Sequence, residues 1–441
     1  MRDKKLIIVA ILIGSIIFSC KRKEEAFTSD PNARLKFSVS EVDYDTLYSG
    51  LRYPTKRIKV YNTNSEALAI DQIILSGGVS SFYKILVNGQ AGPVISGLEL
   101  LGGDSMLLFV DLSFPVQNNT NPYRIDDVIR FVFNGREQVL PLKAVGEDAL
   151  LVQPGNLSCA EVWDNQKAVI LLGETIVPSG CVLTINKGAK VLAAVGASLD
   201  IKGTLLVTGL KTEPVYIGSI AAGKNPGQWK GIRFYEGSSG NNLSWLYLAN
   251  AETGLSFASA SSASLIDIEL NHAALYDFTL HAIDLSYSAL NASNCLFIAA
   301  ANSVTNFSKE GTYVFSHCTW EGNSYDYYRE GPCIATTNIT GSLSLTVNQS
   351  IVWGDKTNEI ELVSATSGSI DNSILKTNTV INGAGQLLNT EPRFVFIANR
   401  DFKLQASSPA IDKGSPSVVT DDLKGETRDA LPDLGCYEFI P

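Results

Sequence analysis

Two stretches of this 441-residue chain hold side chains of the types that carry chemistry. The first runs from Asp267 to Asp284 and includes Glu269, His272, Asp277 and His281. Asp267 and Glu269 stand two residues apart, the spacing that puts both carboxylates on one face of a strand. An imidazole beside a carboxylate is common equipment for proton transfer near neutral pH, so Glu269, His272 and His281 are the acid/base candidates. The plainer role for the same residues is solvated turns and the polar ends of ladders, and the pattern favours it. The second stretch is Trp320-Glu321-Gly322-Asn323-Ser324-Tyr325-Asp326-Tyr327-Tyr328-Arg329-Glu330-Gly331-Pro332-Cys333. Trp320, Tyr325, Tyr327 and Tyr328 offer faces that stack on sugar C–H groups, and Asp326 and Arg329 offer partners for hydroxyls, so this is the candidate binding loop. The plainer role, pinning the loop onto the structure beneath, is the one this pattern favours.

What is missing narrows the chemistry. Glycoside hydrolysis needs an acid and a base flanking the bond, yet Asp-Asp pairs occur only at Asp126-Asp127 and Asp421-Asp422, outside the repetitive region. A lyase acting on a uronate wants a cation to neutralise it and an Arg or Lys base, and residues 240 to 306 contain no Lys or Arg. Three His residues give little material for a metal centre, and no CxxC pair or zinc spacing occurs, so neither a metal nor a cofactor is expected. The formal charge of −10 argues against binding nucleic acid through its phosphates.

Seven cysteines are present. Cys20 stands apart near the N-terminus, and Cys159, Cys181, Cys295, Cys318, Cys333 and Cys436 make an even set that permits disulfides in an exported protein. Cys159 and Cys181 are placed to staple the start of the repetitive region. Cys318 has two possible partners, Cys333 across the aromatic loop or Cys295 on the preceding repeat, and Cys295 and Cys318 stack as thiols if neither bond forms.

The elements that position these residues fall into two styles. From Leu35 to about residue 150 short alternating runs, such as Leu35 to Val39 and Ile58 to Tyr61, are separated by turn residues, as at Gly77-Gly78, Asn88-Gly89 and Asn134-Gly135. Such strands with no helical periodicity predict an Ig-like β-sandwich over 35–150, read as a spacer or docking module. Asn134-Gly135 between two strand-like runs predicts a type I′ hairpin. After Pro154-Gly155 shorter strands recur. Trp245-Leu246-Tyr247-Leu248, Asp267-Ile268-Glu269-Leu270, Ser293-Asn294-Cys295-Leu296, Ser316-His317-Cys318-Thr319, Asn348-Gln349-Ser350-Ile351 and Asp371-Asn372-Ser373-Ile374 align, with third positions at 247, 269, 295, 318, 350 and 373. A repeat of 22 to 26 residues, widened to 32 where the aromatic loop is inserted, with short strands and no helices predicts a right-handed parallel β-helix over 155–405, with a C-terminal cap over 406–441. Arg428 and Glu438 are expected to pair there and block the open edge of the last coil.

The N-terminus gives an address. Basic residues Arg2, Lys4 and Lys5 precede an apolar run from Leu6 to Phe18, shorter than the about 20 apolar residues that a membrane-spanning helix needs, and then Ser19-Cys20. That order reads as a signal peptide over 1–19. A Cys directly after a small residue at the end of the apolar run resembles the bacterial lipobox. The resemblance implies cleavage before Cys20 and its acylation, with residues 20–34 as a tether and the lipid as the partner in the membrane. Removing residues 1–19 leaves a chain near −12. Glu24-Glu25 loosely resembles the surface-export tags of Bacteroidota lipoproteins, which implies an outer-membrane address, facing the cell surface or the periplasm.

Longer motifs are similar to one family. Leu35-Lys36-Phe37-Ser38, Lys59-Val60-Tyr61-Asn62 and Gly102-Gly103-Asp104-Ser105 resemble the N-terminal module of Bacteroidota β-helix repeat lipoproteins. Gln228-Trp229-Lys230-Gly231-Ile232, Phe315-Ser316-His317-Cys318-Thr319 and Ile351-Val352-Trp353-Gly354 resemble its helical part. Ser408-Pro409-Ala410-Ile411-Asp412-Lys413-Gly414 and the closing Pro432-Asp433-Leu434-Gly435-Cys436-Tyr437-Glu438 are similar to its DIGAYE-type terminus, with Cys436 where Ala is usual. The resemblance implies an Ig-like domain followed by a right-handed β-helix, and brings no catalytic role. The function expected is non-catalytic binding or adhesion at the cell surface, to glycan, along the long face of the solenoid. A polysaccharide lyase or hydrolase at Glu269, His272 and His281, and a structural role with an envelope protein partner, are the alternatives.

Overall fold

The structure is a computed structural model, and it describes residues 26–118, 122–221, 225–258, 265–323, 328–339, 341–363 and 366–441. Cys20, Tyr325, Asp326 and Tyr327 lie outside the described residues. The chain is all-β and divides into two compact units, Met1–Asp148 and Ala149–Pro441.

In the first unit, strands with alternating burial pair into two sheets around one core. One sheet runs Leu35–Phe37, Lys56–Asn62, Ser105–Leu112, Tyr83–Val87, Gln90–Ala91, and the other Val42–Tyr48, Arg136–Glu147, Asp127–Phe133, Leu68–Leu75, Val94–Leu100. Pairing in both is antiparallel except where Val42–Tyr48 runs parallel to Arg136–Glu147. The period of two decides which side chains enter the core: Tyr83, Ile85 and Val87 are buried while Lys84 is exposed. Asn134 and Gly135 have φ of 49° and 66° and join Phe133 to Arg136, the doubly positive turn that matches strand twist.

The second unit is built of stacked coils joined by parallel pairing. One coil contributes Val182–Asn186, Lys190–Ala193 and Ser198–Ile201, and the next contributes Thr204–Thr208, Val215–Ser219 and Ile232–Tyr235, each strand paired in parallel with its predecessor. The first and second strands of every coil belong to an 18-stranded sheet and the third to a 9-stranded sheet, a parallel β-solenoid arrangement. Solenoid pairing begins with Ala149–Val152 against Ala168–Leu171, earlier than the change of sequence style at 155.

Between first and second strands the chain bends at one residue in the left-handed region. Trp245, His272, Asn294, His317, Gln349 and Asn372 occupy this position, with φ from 42° to 56°. Asn tolerates that conformation best among residues with a Cβ. The true register therefore aligns Leu246 and Ala273 with Cys295 and Cys318, and the sequence alignment that used Tyr247 and Glu269 is shifted in those two coils. The chain passes through both bends inside the strands Asn241–Ala249 and Ile266–Tyr276, with no break in strand to mark them.

Inward ladders hold the stack together. Ile185, Val207, Leu243, Leu270, Ala292, Phe315, Val347 and Ile370 follow one another in register, all buried. Burial of each large apolar side chain contributes roughly 1.5–3 kcal/mol before entropy is counted. Cys159 and Cys181 form a disulfide at the first coils, as the sequence suggested. The last first-strand, Thr366–Asp371, is closed by residues 382–386: Ile370 N–H donates to Asn382, and the Asn382 and Gln386 amides donate to Gly368 and Ile370 carbonyls. That is a correction, because Arg428 and Glu438 do pair but not at this edge. The C-terminal segment instead lies along the side of the coils. Phe394, Phe402, Leu404, Leu423, Leu434 and Tyr437 cover the outward residues Ala274, Leu296, Ile298, Ile351 and Ile374 of the second strands.

Candidate functional site

With the second-strand face covered by the C-terminal segment, the outward face of the first strands is a long surface left open. Its outermost ladder reads Asn186, Thr208, Ser244, Asn271, Ser293, Ser316, Asn348, Asp371, each in register with the next. The neighbouring ladder reads Thr184, Leu206, Asn242, Glu269, Asn291, Val314, Thr346, Ser369. None of these side chains is fully buried. Eight rungs at about 4.8 Å span roughly 34 Å, and the two ladders stand about 6.6 Å apart along each strand. Hydroxyls and amides dominate, and neither ladder contains Lys or Arg. Neighbouring rungs hold one another: Ser293 donates to Asn271 (2.6 Å), Asn291 to Glu269 (2.9 Å) and Thr208 to Asn186 (3.2 Å). The result is a regular array of groups that both donate and accept, with rotamers restricted by their neighbours.

The acid/base candidates are not brought together. Glu269 is exposed on the open face and accepts from Asn291. His272 is a buried bend residue whose ring stacks on Trp245 (centroids 4.1 Å apart) and whose Nε2 lies 3.2 Å from Asp421 and 3.2 Å from Asn294. Burial lowers its pKa, with Asp421 opposing. His281 belongs to the other sheet, where Nδ1 meets the Ser303 carbonyl at 2.8 Å. Each has its own separate partners, so the expected constellation gives way to three structural roles. Asp267 accepts from Gly240 N–H (2.8 Å), Asp277 forms a two-point ion pair with Arg400, and Asp284 accepts from Asn306 (2.8 Å), which accounts for the remaining carboxylates of that stretch.

The aromatic loop is also largely internal where it is described. Trp320 has no exposed surface and donates Nε1–H to Thr305 (2.9 Å), so it is a core residue and not a sugar platform. Arg329 is likewise buried: its guanidinium donates to the carbonyls of Gly322 and Gly331, to Asp355 (3.0 Å) and to Glu359 (2.7 Å). Glu359 in turn accepts from Cys333 N–H (2.9 Å). A Cβ at Gly322 would lie 2.6 Å from the Arg329 guanidinium, which is why this position is glycine. Tyr328 is 75% exposed, with Lys356 5.6 Å above its ring, and remains available to a ligand.

One carboxyl missed in the sequence stands out. Burial raises the Glu321 pKa to about 7, against hydrogen bonds from Asn323 and the charge of Arg329, which oppose the rise. Such a group is a functional candidate, but the cavity beside it, lined by Glu321, Asn323, Arg329 and Arg400, holds only about 20 Å3. That volume admits one water and no sugar. His317 is fully buried, and burial together with Arg428 pushes its pKa down to about 3, with a backbone hydrogen bond at Asp433 opposing. Cys295, Cys318, Cys333 and Cys436 are buried free thiols, so neither bond considered for Cys318 forms. Cys295 and Cys318 stack on successive coils instead, each directing its S–H to carbonyls of its own coil and the preceding one. Among the described residues no group of three or more His, Cys, Asp or Glu is placed to hold a metal ion, and no helix is long and apolar enough to cross a membrane.

No family model matches the chain, and no curated protein matches it. Three solved structures show partial likenesses. A family 123 glycoside hydrolase from Clostridium perfringens is 9% identical over 27% of this chain and 30% of its own (TM-score 0.19). VesB protease from Vibrio cholerae is 14% identical over 25% and 31% (TM-score 0.17). The alkylpurine DNA glycosylase AlkC from Pseudomonas fluorescens, bound to DNA containing an abasic site analog, is 13% identical over 25% and 30% (TM-score 0.16). The chain spans less than a third of the length of each.

Proposed function

We propose that this protein binds neutral glycan without cleaving it, along the open face of the solenoid. The observation that carries the reading is the outer ladder of eight rungs from Asn186 to Asp371. Ser, Thr and Asn side chains donate and accept, as sugar hydroxyls do, and their fixed spacing reduces the entropy lost on binding. A chain polymer lying along the stack meets many weak, equivalent partners, which gives avidity without a deep pocket. The absence of Lys and Arg from these ladders favours an uncharged polymer over an acidic one.

The address belongs to the same proposal. The basic start, short apolar run and Ser19-Cys20 support a lipoprotein held in the outer membrane by acylated Cys20. The two-sheet unit supports an Ig-like module that spaces the solenoid from the lipid. The near-universal hand of parallel crossovers supports a right-handed solenoid.

Affinity electrophoresis of the full chain in gels cast with neutral or acidic polysaccharides tests the reading, with reducing and unsaturated ends followed in parallel. Retardation by neutral polymers with no product release supports it. Product release would make the protein an enzyme, and no retardation together with a stable protein partner in pull-downs would make it an assembly component.

A further inference from the structure

The first compact unit carries a surface of different chemistry. In the sheet that contains Lys56–Asn62 and Ser105–Leu112, Ile58, Val60, Leu108 and Val110 enter the core, so the alternate residues Arg57, Lys59, Leu107 and Phe109 point outward. Register sets the outward residues in rows: Leu86, Phe109 and Arg57 stand side by side on three strands, Leu107 stands beside Lys59, and Tyr61 beside Lys36. We infer that this face docks on an anionic phospholipid surface, with its cations at the headgroups and its apolar residues at the acyl boundary.

The charge balance of the face carries the inference. Lys36, Arg57, Lys59 and Lys84 are exposed on it, and among the described residues none of them forms an ion pair. Arg57 lies over the Phe109 ring instead, 6.0 Å from its centroid. The carboxylate on the face is Asp111, which accepts from Thr55 and stands opposite Lys84. Setting Lys84 against it leaves three cations, in a protein of net charge −10. At the margin, Arg34 before the edge strand and Asp104 before Ser105 cancel. The other sheet has the opposite balance. Asp43, Asp71 and Glu99 are exposed there, while Lys143 is matched by Glu41 and Arg130 by Glu137 (3.2 Å). The apolar residues choose among anions. Leu86 and Leu107 are exposed between the cations, and Phe109 partly so. A soluble polyanion leaves them in water, whereas a bilayer interface takes cations and apolar groups together. The chain before this unit points the same way, with the apolar run Leu6 to Phe18 and then Lys21-Arg22-Lys23. The inference rests on the membrane address proposed above, which brings lipid within reach: Lys36 stands 16 residues after Cys20, at most roughly 55 Å of chain.

Residues 26–441 contain every described strand and both cores, so this chain tests the face apart from any anchor at Cys20. It is sedimented with vesicles of phosphatidylglycerol and phosphatidylcholine in equal parts, and with vesicles of phosphatidylcholine alone. The expected result is binding to the anionic vesicles only, weakening as salt is raised. Lys36→Gln/Arg57→Gln/Lys59→Gln should bind about a hundredfold more weakly, at about fivefold per cation. Arg124→Gln/Arg130→Gln/Lys143→Gln changes the net charge equally on the other sheet and should bind as the parent does. None of these six side chains belongs to the core, so both variants should melt as the parent does and keep their retardation by neutral polysaccharide. Absence of vesicle binding, equal binding to both kinds of vesicle, or the same loss in both variants would overturn the assignment. Retardation of the parent by dextran sulfate without vesicle binding would also overturn it and make the face a site for a soluble polyanion. Acylation of Cys20 is read separately, by mass spectrometry of the full chain expressed in bacteria, so either reading can fail alone.

Discussion

Arg428 is the clamp that holds the C-terminal segment to the coils, and its removal gives a calculable loss. Its side chain is 1% exposed and donates to Glu438 (3.0 Å), to Asn294 Oδ1 (3.0 Å) and to the carbonyls of Asp421 (3.0 Å), Gly435 (2.9 Å) and Asp433 (3.3 Å). Arg428→Met keeps most of the volume and leaves the Glu438 carboxylate buried without a cation. The carboxylate keeps backbone N–H donors from Asp429 (3.2 Å) and Asp433 (3.0 Å), which soften the loss. Its escape is protonation, which for an ordinary glutamate at pH 7 costs about 3.7 kcal/mol, at 1.36 kcal/mol per unit. With the orphaned acceptors added, the loss is about 3–5 kcal/mol, the usual result of breaking a buried pair. Amide exchange protection in peptides covering 419–438 should fall by roughly two to four orders of magnitude while the strand Leu343–Asn348 keeps its own. Lowering the pH to 5 makes protonation cheaper by about 2.7 kcal/mol, so most of the loss should disappear there. Adding Glu438→Gln to the variant should restore about 2 kcal/mol at pH 7. A fall in protection below about fivefold, or the same fall at pH 5 and pH 7, would refute the reasoning.

Other perturbations have equally definite outcomes. Glu321 has a folded pKa of about 7, above its unfolded value, so its contribution to stability is fully present below about pH 4 and is lost as pH rises to 7. Glu321→Gln should therefore stabilise the protein at pH 8 by up to about 3 kcal/mol and flatten the difference curve between pH 4 and 7, read by urea unfolding. The Cys159–Cys181 bond closes a loop with a separation of 22 residues, so replacing both by Ser should cost about 3 kcal/mol. Cys295, Cys318, Cys333 and Cys436 are buried thiols, and burial raises the pKa of Cys318, Cys333 and Cys436. Iodoacetamide should leave all four unmodified in the native chain and label them in denaturant, as mass spectrometry will read. Trp320→Ala should cost about 3–5 kcal/mol, since the side chain is fully buried against Phe297 and Phe315, and should leave glycan retardation intact.

Local chemistry was the most legible part of the sequence. The all-β character, the Asn134-Gly135 hairpin and the stapling cysteines rest on turn residues and spacing within about 25 residues, and a single chain displays these directly. The register slip at Tyr247 and Glu269 has a physical cause: the bends at Asn294, Gln349 and Asn372 carry an Asn or Gln beside a small residue, whereas Trp245 and His272 fill the same left-handed position with rings that stack. In sequence His272 stands out as an imidazole near carboxylates, which masks its place at a bend. An Asn-type bend at equivalent positions in neighbouring coils was the signal that it is a turn residue. The position of the C-terminal segment was not legible, because it depends on pairs such as Arg428 with Asn294 and Lys211 with Glu426, which no local pattern connects. The burial of Trp320 and Arg329 was hidden for a similar reason. Aromatic and charged residues in an inserted loop look alike whether they face a ligand or Thr305, Glu359 and the carbonyl of Gly322.

The open ladder is best tested by placing one bulky charge at its centre. Ser293→Arg puts a guanidinium on the middle of the array, and Ser256→Arg puts the same group on the outward side of the other sheet. Retardation by a neutral polysaccharide should be lost in the first variant and kept in the second, with both melting as the parent does. Equal retardation by parent and both variants would contradict the ladder as the binding surface.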